Sequence, residues 1–160
     1  MDKTIEIWTD GACSGNPGRG GCAAVLKSPD EGMVVTTNSE ENSTNQRMEI
    51  GAVTIGLKHL SWYHKDFNRV IIYSDSAYVC NCINQKWYVN WRENGWVNSK
   101  KQPIANKELW KEMFKLKEDI ENKGITIEFV KVNGHSGNEM NELADKLAVL
   151  ARKSEDMISD

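Results

Sequence analysis

The sequence predicts one α/β domain on a five-stranded mixed sheet, an antiparallel meander followed by parallel strands, flanked by helices. Three observations carry that expectation. At 160 residues the chain has the length of a single domain with a sizeable core. Three strand-like runs come first with no helical pattern between them, which favours hairpin neighbours. Behind them, short apolar runs alternate with stretches of helical period, and strands joined through helices pair in parallel by right-handed crossovers. The first, fourth and fifth strands are therefore expected parallel, in the middle of the sheet.

The meander strands are expected near residues 4–9, 21–27 and 33–39. Between the first two lies a glycine-rich stretch whose Gly18-Arg19-Gly20-Gly21-Cys22-Ala23 fits the loose G-x-G-x-x-[GA] nucleotide fingerprint. A phosphate site of that kind must open a helix, because the phosphate rests on free N–H groups at a helix N-terminus. Here CAAVLKS, the breaker PDEG and then MVVTTNSE follow, which read as two strands and a turn, so the glycines are expected to turn a hairpin.

A helix is expected from Ser43 or Thr44, since Ser43-Thr44-Asn45-Gln46 has the form of a capping box and Glu49, Val53, Leu57 and Leu60 recur at helical spacing. RVIIYSD reads as a strand buried on both faces. SAYVCNCINQ and KWYVNWREN read as short helices, SKKQP as a loop, and NKELWKEMFKLKEDIENKG as a helix ending at Gly124. ITIEFVKV is a second buried strand and NEMNELADKLAVLARK a closing helix, so one domain is expected over residues 1–153 with a frayed tail at 154–160.

No basic segment precedes a long apolar run, so neither a signal peptide nor a membrane span is expected. The four cysteines have no C-x-x-C spacing, which points to reduced thiols in a cytoplasmic protein and away from zinc. The net charge of −3 argues against a surface coated with positive charge, yet its distribution is uneven. Between Lys86 and Lys117 there are eight Lys or Arg against three Glu, a local +5 that leaves −8 on the remainder. A basic segment on an acidic body suggests one localised polyanion contact beside an acidic pocket.

The two strands IEIWTDG and VIIYSDS end alike, apolar then hydroxyl then Asp. As parallel neighbours they would bring Asp10 and Asp75 out at one sheet end, where α/β proteins place their sites, although Asp alone also turns the chain well. Glu49 in RMEI and Asp145 in LADKL border the apolar faces of two helices. Four converging acids would repel one another unless a cation sits among them, and carboxylate oxygens suit Mg²⁺ or Mn²⁺. Two such ions about 4 Å apart stabilise the attacking and leaving oxygens of phosphodiester hydrolysis. The residues alone therefore suggest a carboxylate-built, metal-dependent nuclease. QKWYVNWRENGWVNSKKQP interleaves Trp87, Tyr88, Trp91 and Trp96 with Lys86, Arg92, Lys100 and Lys101. Trp96 and Trp110 are expected in the core, while Trp87 and Trp91, four apart on one helix face, fit either core packing or a nucleic-acid surface.

Asp10 in TDGACSGNPG, Glu49 in TNQRMEI, Asp75 in YSDS, and GHSGNEMNELADKLA with His135 ten residues before Asp145 together resemble type 1 ribonuclease H over roughly residues 4–152. The resemblance implies a ribonuclease H-like fold and endonucleolytic cleavage of the RNA strand of an RNA–DNA hybrid, leaving 5′-phosphate and 3′-hydroxyl ends. It implies two Mg²⁺ ions held by Asp10, Glu49, Asp75 and Asp145, with Mn²⁺ as a substitute, and His135 as a proton carrier or aid to product release. His59 and His64 are expected at a helix end without chemistry. Asn16, Asn45 and Gln46 are implied as readers of the groove, and the glycine loop as a flat backbone the hybrid can approach. Thr44 and Asn106 are implied as a DNA phosphate pocket, and the basic segment with Trp87, Trp91, Lys100 and Lys101 as the grip on the DNA strand of a monomeric enzyme. Two departures stand out: Asn42 replaces an Arg many relatives have, which weakens the expected phosphate pocket, and Ala77 replaces a Gln, which removes one expected hydrogen bond to RNA. The rivals are a DNA-cutting nuclease of the same fold and a catalytically silent hybrid-binding module.

Overall fold

The computed structural model describes residues 3–29, 32–60, 67–133 and 139–158. Strands β1 (Thr4–Cys13), β2 (Gly18–Ser28) and β3 (Gly32–Ser43) form the antiparallel meander, and β4 (Arg69–Ser74) and β5 (Thr126–Lys131) add in parallel beyond β1. The spatial order is β3-β2-β1-β4-β5. β1 and β4 are central, but β5 lies at the edge and not in the middle as expected. Among the described residues no later strand pairs beyond it, and in it only Ile127 and Phe129 are buried while Val130 is exposed. Asp30 and Glu31 of the expected turn lie outside the described residues.

β1 runs on to Cys13, beyond the expected end at residue 9, because β2 continues to pair with it after β4 has stopped. The last β1–β4 pair is Thr9 with Ser74. Each is followed at once by its Asp, so the parallel register itself puts Asp10 and Asp75 side by side. β2 begins at Gly18 as a strand, which removes the nucleotide-fingerprint reading.

Helix α1 (Asn45–Leu60) lies on one face of the sheet across β1 and β2, burying Met48, Ile50, Ala52, Val53, Leu57 and Leu60. Its cap differs from the expected box. Thr44 Oγ1 accepts the Arg47 amide at 3.2 Å, so Thr44 and not Ser43 is the N-cap, and Ser43 is buried at the end of β3. α2 (Ala77–Asn84) and α4 (Lys107–Glu121) complete this layer around a core of Ile5, Ile7, Leu26, Val70, Ile72, Val79, Trp110 and Met113. α3 (Trp87–Glu93) sits at its rim. α5 (Glu139–Ile158) covers the other face across β2 and β1. It runs past the expected stop at Lys153 because Ser-Glu-Asp-Met-Ile contains neither Gly nor Pro to break it.

Candidate functional site

The strand-hydroxyl-Asp pattern has a local explanation. Thr9 Oγ1 donates to the Tyr73 carbonyl at 3.1 Å, tying the ends of β1 and β4 together. Ser74 Oγ accepts the Ser76 amide at 3.1 Å, and Ser76 Oγ in turn accepts the Val79 amide at 3.2 Å as the N-cap of α2. Asp75 is thus held in a two-serine turn between a strand end and a helix start, while Asp10 stays inside β1 opposite Ala23.

Glu49 reaches these two from the second turn of α1, and the approach depends on a missing side chain. A Cβ on Gly11 would lie 2.7 Å from the Met48 carbonyl carbon and 2.8 Å from the Glu49 nitrogen, both rigid helix backbone. Gly21 does the same for α5: a Cβ there would lie 2.3 Å from both the Ala148 oxygen and the Arg152 nitrogen. Two glycines therefore let two helices press on the sheet, one carrying Glu49 and the other Asp145. The hairpin reading missed this, although a glycine inside a strand is itself the signal of a close backbone approach.

Carboxylate oxygens of Asp10, Glu49 and Asp75 lie within 4.8 Å of one another, and Asp145, outside that triangle, is near enough to Asp10 to push its carboxyl up. Asp10 is 4% exposed. Burial first, then the charge of Asp75, then Asp145 push its carboxyl up to about 8. Burial and the charges of Asp10 and Asp75 likewise hold Glu49 well above the usual carboxylate range. Glu49 Oε2 is buried without a hydrogen-bond partner. An orphaned carboxylate oxygen beside two more acids is a set that protons satisfy poorly and a hard divalent cation satisfies well. A nucleophilic cysteine is not part of this corner: burial pushes the Cys22 thiol up to about 12 and Cys80 to about 11.

The expected groove residues gather at the start of α1. Asn16 Oδ1 accepts the Asn45 amide at 3.2 Å, joining the hairpin loop to the helix, and Asn16, Asn45 and Gln46 are all exposed. Arg47 makes two hydrogen bonds to Glu40, at 2.7 and 3.2 Å, clamping that turn to β3. Thr44 caps α1, and its hydroxyl proton remains available because it serves there as an acceptor. Asn106 stands in left-handed conformation before α4, which packs on α1. Asn42, φ +52°, and Ala77 are exposed. His135 and His64 lie outside the described residues, and His59 falls in the last turn of α1.

The basic segment is a rim of half-buried aromatics. Trp110 is fully buried and its Nε1 donates to Tyr78 Oη at 3.0 Å. Trp91 packs on it with ring centroids 5.7 Å apart. Trp96 is half-buried, not enclosed as expected, since it faces Phe114 at 6.1 Å with Lys111 Nζ 5.4 Å over its ring. Trp87 and Trp91 each keep part of their surface open. Lys100 and Lys101 are exposed on a tight loop in which Asn98 Oδ1 accepts the Lys100 and Gln102 amides at 2.9 and 3.0 Å.

Comparison with known proteins shows what the chain and its fold are similar to. A family model described as RNase H matches residues 2–153. A protein named Ribonuclease H from Thermoanaerobacter sp. (strain X514) is 45% identical over 144 residues, covering 90% of this chain and 86% of that one. The crystal structure of LC9-RNase H1, a type 1 RNase H with the type 2 active-site motif, superposes with a TM-score of 0.79 at 26% identity, over 96% of this chain and 74% of that chain. LC11-RNase H1 in complex with an RNA/DNA hybrid shares the fold, with a TM-score of 0.67 at 22% identity over 94% and 98% of the two chains.

Proposed function

The chain belongs to the ribonuclease H family, and from that premise we propose that it is a divalent-metal-dependent endonuclease that hydrolyses the RNA strand of RNA–DNA hybrids, leaving 5′-phosphate and 3′-hydroxyl ends. The observation that carries this reading is the triangle of Asp10, Glu49 and Asp75 oxygens with Asp145 against it. Those four side chains would hold two Mg²⁺ ions, or Mn²⁺ in their place. When bound, such ions polarise the scissile phosphate and supply an ionised water as nucleophile. The protein's own part is to hold the four acids converged, with Asp10 and Asp75 set by strand register and Glu49 and Asp145 by helix packing; a bound cation would favour their ionised forms.

Substrate choice comes from the surrounding residues. Asn16, Asn45 and Gln46 present short polar groups to the 2′-hydroxyls displayed across the shallow minor groove of the hybrid. On the other strand the Thr44 hydroxyl and Asn106 donate to a DNA phosphate, Trp87 and Trp91 pack on deoxyribose, and Lys100 and Lys101 supply salt-dependent affinity. Duplex DNA offers no 2′-hydroxyl beside the acids, and duplex RNA keeps the second strand stiff and A-form. His135 carries protons in the reaction, the ordinary pKa of an imidazole being close to working pH. Residues 1–153 act as one catalytic domain, and the protein works as a cytoplasmic monomer.

The test is an end-labelled cleavage panel with Mg²⁺, run beside Asp10→Asn to exclude a contaminating nuclease. The RNA strand of a hybrid should be cut, and duplex DNA, duplex RNA and single strands should survive. Cleavage of a DNA junction or plain duplex would favour a DNA nuclease of the same fold. Binding without cutting in both Mg²⁺ and Mn²⁺ would favour a silent module.

A further inference from the structure

Arg92 is one of the cations that a charge count assigns to the polyanion surface, but its surroundings give it different work. α3 has seven residues, none of them buried, and is entered through a left-handed Lys86 with no side-chain cap. So short a helix has little stability of its own and takes its orientation from what fastens it. Tyr88 leans on Phe114 of α4 with ring centroids 4.8 Å apart, and Trp91 leans on Trp110. The Arg92 guanidinium carbon lies 5.5 Å from the Tyr88 ring centre and 5.8 Å from the Phe114 ring centre, and Nη2 pairs with Glu118 on α4. A planar, weakly hydrated guanidinium suits that place between two rings and a carboxylate. Lys86, Lys100 and Lys101 are exposed, as Arg92 also is, but unlike Arg92 they have no ion pair among the described residues.

We propose that Arg92 is a positioning residue and not a phosphate ligand: locked between Tyr88, Phe114 and Glu118, it sets the rotation at which α3 presents Trp87 and Trp91 to the hybrid. The proposal rests on the reading of α3 as a hybrid-binding surface. Rotation matters because Trp87 and Trp91 share one helix face, so a turn of α3 about its axis swings both away together. The positive charge offered to phosphates is then carried by the lysines.

Affinity for a short RNA–DNA hybrid, measured in the Asp10→Asn background over a series of KCl concentrations, separates the two roles. As a strut, Arg92→Gln weakens binding about fivefold and leaves the slope of log affinity against log salt unchanged. Glu118→Gln then weakens binding as well, and the double variant is no weaker than Arg92→Gln alone, because both changes break one contact. As a phosphate ligand, Arg92→Gln would flatten the slope by about 0.9, and Glu118→Gln would tighten binding by releasing the cation. Either result overturns the proposal. Lys100→Gln with Lys101→Gln is the companion arm: unchanged affinity there removes the whole surface and the strut with it, whereas unchanged affinity confined to Arg92→Gln removes the strut alone.

Discussion

Asp10 sits inside a paired strand at 4% exposure, with helix backbone pressed against the residue that follows it, whereas α3 buries none of its seven residues. The first region is positioned by the sheet and by two helices that cannot move without unpacking the core. The second hangs on a few ring contacts and one ion pair. The contrast matches the demands of the proposed roles: metal ligands must stay within tenths of an ångström, while a grip on a nucleic-acid backbone tolerates adjustment. Changes in the corner should therefore act on chemistry and metal affinity, and changes in the platform on substrate affinity.

The largest effect is expected from Asp10→Asn or Asp75→Asn, which should lower the cleavage rate at least about 10³-fold while the fold persists. Stability moves in an informative direction. Folded Asp10 keeps its proton up to about 8, whereas in the unfolded chain it ionises near pH 4, so in that window the native state binds more protons. Metal-free stability should fall as pH rises from about 4 to about 8. Asp10→Asn should accordingly melt higher than the parent at pH 8 without metal and nearly level with it at pH 4. A lower melting temperature at pH 8 would mean that the acids do not strain the corner.

An intermediate effect is expected from Gly11→Ala, whose added methyl meets the backbone at Met48 and Glu49. It should weaken Mn²⁺ binding about tenfold by calorimetry, as displaced supports of metal ligands commonly do. Gly56→Ala is the comparison, since its methyl meets the side chains of Ile7 at 3.0 Å and Ala24 at 3.2 Å, away from Glu49. It should lower the melting temperature and leave Mn²⁺ affinity within about twofold. Equal losses of affinity in the two variants would show that the corner senses general loosening of α1 and not the Gly11 contact.

The smallest effect belongs to the platform. Lys100→Gln with Lys101→Gln should raise KM for the hybrid about threefold at low salt, with kcat nearly unchanged and the salt slope shallower by up to about 0.9 per lost phosphate contact. A fall in kcat with an unchanged slope would erase the division between the two regions.

Much of the corner was legible in the chain because it depends on local chemistry. Strand-hydroxyl-Asp, repeated, states that two strands end alike, and a parallel register does the rest. Glu49 and Asp145 were readable because helical period puts them at the border of apolar faces. The platform was legible as composition only: charge and aromatic content announce a polyanion surface, but they do not say that Arg92 is spent on Tyr88, Phe114 and Glu118 while Lys100 and Lys101 stay open. The N-cap slipped from Ser43 to Thr44 for a similar reason, since either hydroxyl fits the pattern and the length of β3 chose between them.

By itself, then, the sequence determined the order of elements, the antiparallel-then-parallel sheet and the convergence of Asp10 and Asp75, all of which follow from periodicity, turn chemistry and spacing along the chain. Tertiary structure alone decided that β5 is an edge, that Gly11 and Gly21 are where helices touch the sheet, and that Arg92 is paired with Glu118. Those outcomes depend on pairs such as Gly11 with Met48, Gly21 with Ala148 and Arg92 with Glu118, far apart in the chain, whose meeting is set by how the layers close.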